Sequence, residues 1–145
     1  MSRGQIVLAI LLLLSIVSCF LPWLTAKVII GEEDRSTTNY GYDYIVPLGA
    51  RYSAPVAILG VIGFILSAYS FKAIERVRML NVIAGILILV GAIAAFAYTT
   101  SAAMAEATGG FNYSINVWAE YGMGLEALFG FLMLIVGART KPEAV

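Results

Sequence analysis

The sequence predicts an all-α membrane fold, a four-transmembrane-helix bundle carrying a small extracellular β-sheet formed by the two outer loops. Three observations predict it. Of 145 residues, 61% are hydrophobic and 12% charged, with mean hydropathy +0.90, against roughly 25% charged residues in an average soluble domain. The apolar residues are gathered into four segments, each near the roughly 20 residues that a helix needs to cross a bilayer core of about 30 Å. Between the first and second segments, and again between the third and fourth, the pattern changes to the alternation of a strand. Spans of this size leave no room for a separate soluble catalytic domain, so residues 1–145 are expected to form one tetraspan membrane domain.

The first helix is expected over residues 5–24. Arg3 ahead of the apolar residues 6–14 also fits the start of a secretory signal, and Ile16-Val17-Ser18-Cys19 loosely fits a lipoprotein cleavage box. The apolar run continues through Phe20 and Leu21 to Leu24, long enough to span, so a retained helix is expected. Pro22 would close it, with Trp23 at the headgroup level. In the first outer loop, 25–53, residues 27–30 are mostly β-branched, 31–39 are polar, and 40–46 carry aromatics at alternate positions. That order reads as strand, turn, strand. Tyr40, Tyr42 and Tyr44 would then share one face and offer a surface to a partner. Glu32-Glu33-Asp34 reads as a solvated turn, without the ligand spacing of a calcium loop.

The second helix is expected over 54–71, with Pro55 in its first turn, where a missing N–H costs little. An inner loop, 72–78, carries Lys72, Arg76 and Arg78. The third helix is expected over 79–107, ahead of Gly109-Gly110. In the second outer loop, 108–119, Phe111, Tyr113, Ile115 and Val117 alternate with Asn112, Ser114 and Asn116. An isolated hairpin is marginal in water, whereas three strands can share an apolar face, so this third strand is expected to join the first two. Phe111, Tyr113 and Trp118 extend the candidate partner surface, and Asn112-Tyr113-Ser114 is a glycosylation sequon. The fourth helix is expected over 120–138.

Orientation follows from the cations. Arg3, Lys72, Arg76, Arg78, Arg139 and Lys141 fall on one side in short segments. Lys27, Arg35 and Arg51 fall on the other, in a loop that also holds Glu32, Glu33, Asp34 and Asp43. The positive-inside rule places both termini in the cytoplasm of a multi-pass cell-membrane protein.

Glu126 is the acidic side chain placed well inside a span, and a carboxylate in hydrocarbon must find a partner or stay neutral. Arg51 and Tyr98 complete the candidate intramembrane polar site, with Lys27 and Thr99 also in range. Three readings stay open there: a lock between helices, an ion- or proton-handling group, or a side chain that snorkels towards the outer surface. Gly91 with Ala95 and Gly63 with Ser67 have the small-xxx-small spacing of helix contacts in lipid. The chain has no His and a single cysteine, Cys19, so it can form no intrachain disulfide and no His or multi-Cys metal site. With no nucleophile–base pair, phosphate loop or cofactor motif, neither enzymatic activity nor a cofactor is expected. A formal net charge of zero argues against a nucleic-acid partner.

The layout resembles the small tetraspan membrane proteins of the claudin type. The features in common are inner termini, a longer first outer loop, a basic inner turn at residues 72–78, a shorter second outer loop and an outer sheet drawn from both. The likeness is architectural: the family's loop signature, a Trp followed by Gly-Leu-Trp and a Cys pair, has no counterpart here, since Trp23 lies at a helix boundary and no loop Cys exists. Taken together, these features lead to the expectation of a non-enzymatic membrane protein acting through protein contacts, as an accessory or scaffold subunit or by homo-oligomerisation. The alternative is a small oligomeric channel or transporter that uses Glu126.

Overall fold

Ser2 begins the first helix by a reciprocal cap: its Oγ accepts the Gln5 N–H at 3.2 Å while its own N–H donates to Gln5 Oε1 at 2.8 Å. In the computed structural model, which describes residues 2–44, 58–107 and 112–142, this cap sets α1 over Arg3–Ser18. The helix ends earlier than the expected Leu24. Pro22 has no N–H to give a helical carbonyl and its ring obstructs the turn before it. Cys19 to Leu21 therefore make a tight turn, with Phe20 N–H to Val17 O at 3.0 Å and Leu21 N–H to Ser18 O at 3.1 Å, and the chain leaves as strand β1 (Pro22–Ile30). Trp23 is correspondingly not an exposed anchor. It is 2% exposed and stacks on Tyr44 with ring centroids 6.0 Å apart.

The hairpin that follows is tighter than the composition of 31–39 predicts. Ile30 pairs directly with Glu33, leaving a two-residue turn of Gly31 and Glu32. Gly31 has φ 62° and no described non-glycine residue has a positive φ, the sign pattern of a type II′ turn, whose hand matches strand twist. Strand β2 (Glu33–Tyr40) thus takes the polar residues, and Gly41–Tyr44 curl into a single 3-10 turn rather than extending as a strand. Strand β3 (Tyr113–Ala119) pairs antiparallel on the other side of β1, with Val28 opposite Ile115, giving the order β2-β1-β3. The expected three-stranded sheet is present and draws on both loops.

The remaining helices are α2 (Ile58–Ser70), α3 (Val77–Ala107) and α4 (Tyr121–Arg139), with a 3-10 turn at Ile74–Arg76 ahead of α3. Helix α3 packs between α2 and α4, and α1 lies against α4 and more lightly against α2. Leu8, Leu11, Leu12, Val77, Ile88 and Met133 fill the centre. The helices pack close because glycine lies at the contacts: a Cβ on Gly85 would sit 2.6 Å from the Gly130 carbonyl oxygen, and one on Gly63 would sit 2.8 Å from that of Ala84. At these positions the small residues serve packing within the chain.

Helix α3 outruns the bundle. Its last turns support the sheet, where Ala26 and Val28 of β1 pack on Ala103 and Ala107 with Ile115 and Val117 of β3 beside them. Polar side chains share the bundle interior, with Gln5, Ser15, Ser18, Ser67, Ser70, Asn81 and Glu126 buried, while Ile10, Leu13, Val17, Ile65, Ile93 and Phe131 are exposed. Helix α3 with its leading turn (Ile74–Ala107), and α4, are long and apolar enough to cross a membrane, by length and composition; α1 (16 residues) and α2 (13 described residues) are shorter apolar helices.

Candidate functional site

Ser15 and Ser18 lie three residues apart in α1 and so share one face of it. That face meets α4 where Gly122 passes close to the Pro22 carbonyl with no side chain between them. The contact brings Glu126, one turn further along α4, onto the two serines. Ser15 Oγ donates to Glu126 Oε1 at 2.8 Å, and Ser18 Oγ meets Oε2. Ser18 Oγ is also 2.7 Å from the Ser15 carbonyl oxygen. A hydroxyl carries one proton, so a Ser18 that donates to that carbonyl engages Glu126 only by accepting from it. The Trp23 indole donates to the Ser18 carbonyl at 2.9 Å and closes the top of the cluster.

Glu126 is 1% exposed. Cys19, Trp23, Phe64, Ile88 and Ala92 wall it in and leave no water-sized space beside it. Among the described residues no Lys or Arg forms an ion pair with it. Of the expected partners, Arg51 lies outside the described residues. Tyr98 is 37% exposed and is not among the groups that bond Glu126. Lys27 pairs with Asp34 at 3.6 Å, and Thr99 is taken by Tyr44. The partners come instead from the first helix, and the signal that could have found them is the Ser15/Ser18 pair inside an otherwise apolar run.

Two further polar clusters are buried. The Tyr44 hydroxyl lies 2.5 Å from Thr99 Oγ1 and accepts from Asn39 Nδ2 at 3.1 Å, tying the sheet to α3, and burial pushes its phenol pKa up. Asn81 joins α3 to α2: its Oδ1 accepts from Ser67 Oγ at 2.7 Å, and its Nδ2 donates to Ser70 Oγ and to the Val77 carbonyl, both at 2.8 Å.

The aromatic surface is rearranged. Tyr40 and Tyr42 stack on each other, centroids 5.4 Å apart and planes 8° apart, with Phe20 next to Tyr42. Tyr44 is fully buried and leaves the expected shared face, because the chain turns at Gly41 instead of staying extended. That turn needs glycine: a Cβ there would lie 2.6 Å from both Cys19 Cα and the Trp23 ring. On β3, Tyr113 is 55% exposed, and Trp118 is exposed with its indole donating to Glu120 Oε1 at 3.0 Å. Asn112 is exposed, and its carbonyl accepts the Gly31 N–H at 2.8 Å. Phe111 lies outside the described residues.

No family model, curated protein or solved structure matches the chain.

Proposed function

We propose that this chain is a four-span protein of the cell membrane, with both termini in the cytoplasm, that acts through protein contacts made by its outer sheet, as a scaffold or accessory subunit or by self-association. The observation that carries the reading is the free edge of β3. Among the described residues the strand pairs on one side only, with β1, and its segment Tyr-Ser-Ile-Asn-Val-Trp-Ala has no charged residue. Proteins ordinarily protect an open edge with charge or proline. The opposite edge, β2, carries Glu33, Asp34 and Arg35.

Rigidity of the support adds to this. The edge strand rests on β1, which leaves α1 after only three residues, and Arg35 of β2 bonds Glu106 of α3 at 2.9 Å. A stiff platform presenting unpaired N–H and C=O groups favours strand addition by a partner. The membrane assignment is supported by the exposed aliphatic rows of the helices and by the grouping of Arg3, Lys72, Arg76, Arg78, Arg139 and Lys141 at the end away from the sheet. That arrangement is the one in which a claudin-type layout would sit. In this reading Glu126 locks α4 to α1, since its carboxyl is enclosed by apolar walls and two serine hydroxyls.

The test places a cysteine at Asn116, on the exposed edge strand, in a Cys19→Ala background. Oxidative or photo-activated crosslinking in native membranes is expected to capture a second copy or a defined partner. A protein that stays monomeric in mild detergent and in nanodiscs, and yields no adduct, overturns the proposal.

A further inference from the structure

At the end of the bundle away from the sheet, the first turn of α1 and the last turn of α4 border a groove of about 510 Å³. We propose that this groove binds the headgroup of an anionic phospholipid from the leaflet on that side; the inference rests on the membrane reading above. Arg3, Arg139 and Lys141 all line it, one cation from α1, one from the last turn of α4 and one from two residues beyond it. The groove is built by the fold. Gly4 lets the two helix ends close up, because a Cβ there would lie 2.5 Å from Thr140 Oγ1. Thr140 is buried and its hydroxyl is turned back to the Val136 carbonyl at 2.7 Å, so the polar side chains left on the walls are Ser2 and the three cations, and all of the charge is positive. Among the described residues none of the three makes an ion pair; those present, Lys27–Asp34, Arg35–Glu33 and Arg35–Glu106, lie at the sheet end.

Chemistry and position select the occupant. Ile135 and Val136 give the groove an apolar side that continues into the exposed surface of α4. A ligand that satisfies both parts has a phosphate with net negative charge at one end and hydrocarbon at the other. Lys and Arg beside a membrane gain from such headgroups, and guanidinium groups match phosphate oxygens in pairs. A zwitterionic lipid offers the same phosphate next to a cation, which these side chains repel.

The experiment is native mass spectrometry of the full chain released from micelles containing equal amounts of phosphatidylglycerol and phosphatidylcholine. The expected result is selective retention of phosphatidylglycerol. Retention should weaken on the order of 100-fold in the R3Q/R139Q/K141Q variant and stay unchanged in R76Q/R78Q, which alters cations at the same end of the bundle but outside the groove. Equal retention of both lipids, undiminished retention in the triple variant, or equal loss in R76Q/R78Q overturns the proposal. So does displacement of phosphatidylglycerol by millimolar inorganic phosphate, which would mark a free-phosphate site. Integration into pure phosphatidylcholine vesicles, assayed by carbonate extraction, tests the membrane reading separately: a wild-type chain washed off such vesicles sinks both, whereas one that integrates but shows no lipid preference sinks only this inference.

Discussion

Glu126 and Tyr44 show how much depends on single polar atoms in this interior. Glu126 is reached by two hydroxyls of another helix, so its contribution should be shared with them. A double-mutant cycle of Ser18→Ala and Glu126→Leu, read by thermal unfolding in detergent, is expected to give a coupling energy of about 0.5–1.5 kcal/mol, the range of interhelical hydrogen bonds in membranes. Additive effects would remove the lock. The Tyr44 hydroxyl serves Asn39 and Thr99 at once. Tyr44→Phe leaves both without that partner while keeping the ring on Trp23, and a cost of about 1–3 kcal/mol is expected from the unsatisfied groups. Unchanged unfolding would mean that the cluster adds nothing to stability.

Among the elements, the contact of α3 with α4 at Gly85 gives the sharpest test. Gly85→Ala puts a methyl group against the Gly130 carbonyl oxygen and should destabilise by about 1–3 kcal/mol, the usual cost of overpacking. Gly124, on the same α4, has nothing within 4 Å of its would-be Cβ. Gly124→Ala should be neutral or stabilising by up to about 1 kcal/mol through helix propensity. Equal effects at the two sites would contradict the packing described.

The elements also differ in how legible they were. The sheet could be read because alternation is a direct property of strands: Ile115 and Val117 do face the core, and both loops do contribute. The end of α1 could not, since an unbroken apolar run such as residues 20–24 is the same string whether it continues a helix or enters a buried strand. Only Pro22 marked the boundary, and it acted three residues ahead of itself. The same ambiguity hid Tyr44, whose alternate spacing from Tyr42 suggested an exposed strand until Gly41 turned the chain inward. At the polar site, Glu126 was visible as a lone acid in an apolar segment. Its partners were not, because serine is common in helices of this kind and pairing across more than 100 residues leaves no local trace.

Among the described residues the charge is uneven along the bundle axis, with Arg3, Lys72, Arg76, Arg78, Arg139 and Lys141 at one end and, at the other, the sheet, where Lys27 and Arg35 are paired with carboxylates. In a Cys19→Ala background, Ser36→Cys on β2 is expected to react with an impermeant maleimide applied to intact cells, and Glu75→Cys in the loop before α3 only after permeabilisation. The opposite pattern would invert the orientation. The length of α3 then acquires a meaning of its own. Its 31 residues, at about 1.5 Å each, measure roughly 46 Å, some 16 Å more than the hydrocarbon layer. The sheet leans on the last turns of α3 at Ala103 and Ala107, so in the proposed membrane reading its height above the lipid is set by a mast rather than by a tether. If a partner docks on the edge strand as proposed, it meets the sheet at that elevation, and removing one turn of α3, which lowers the platform by about 5 Å, is expected to weaken crosslinking at Asn116 without altering any residue of β3.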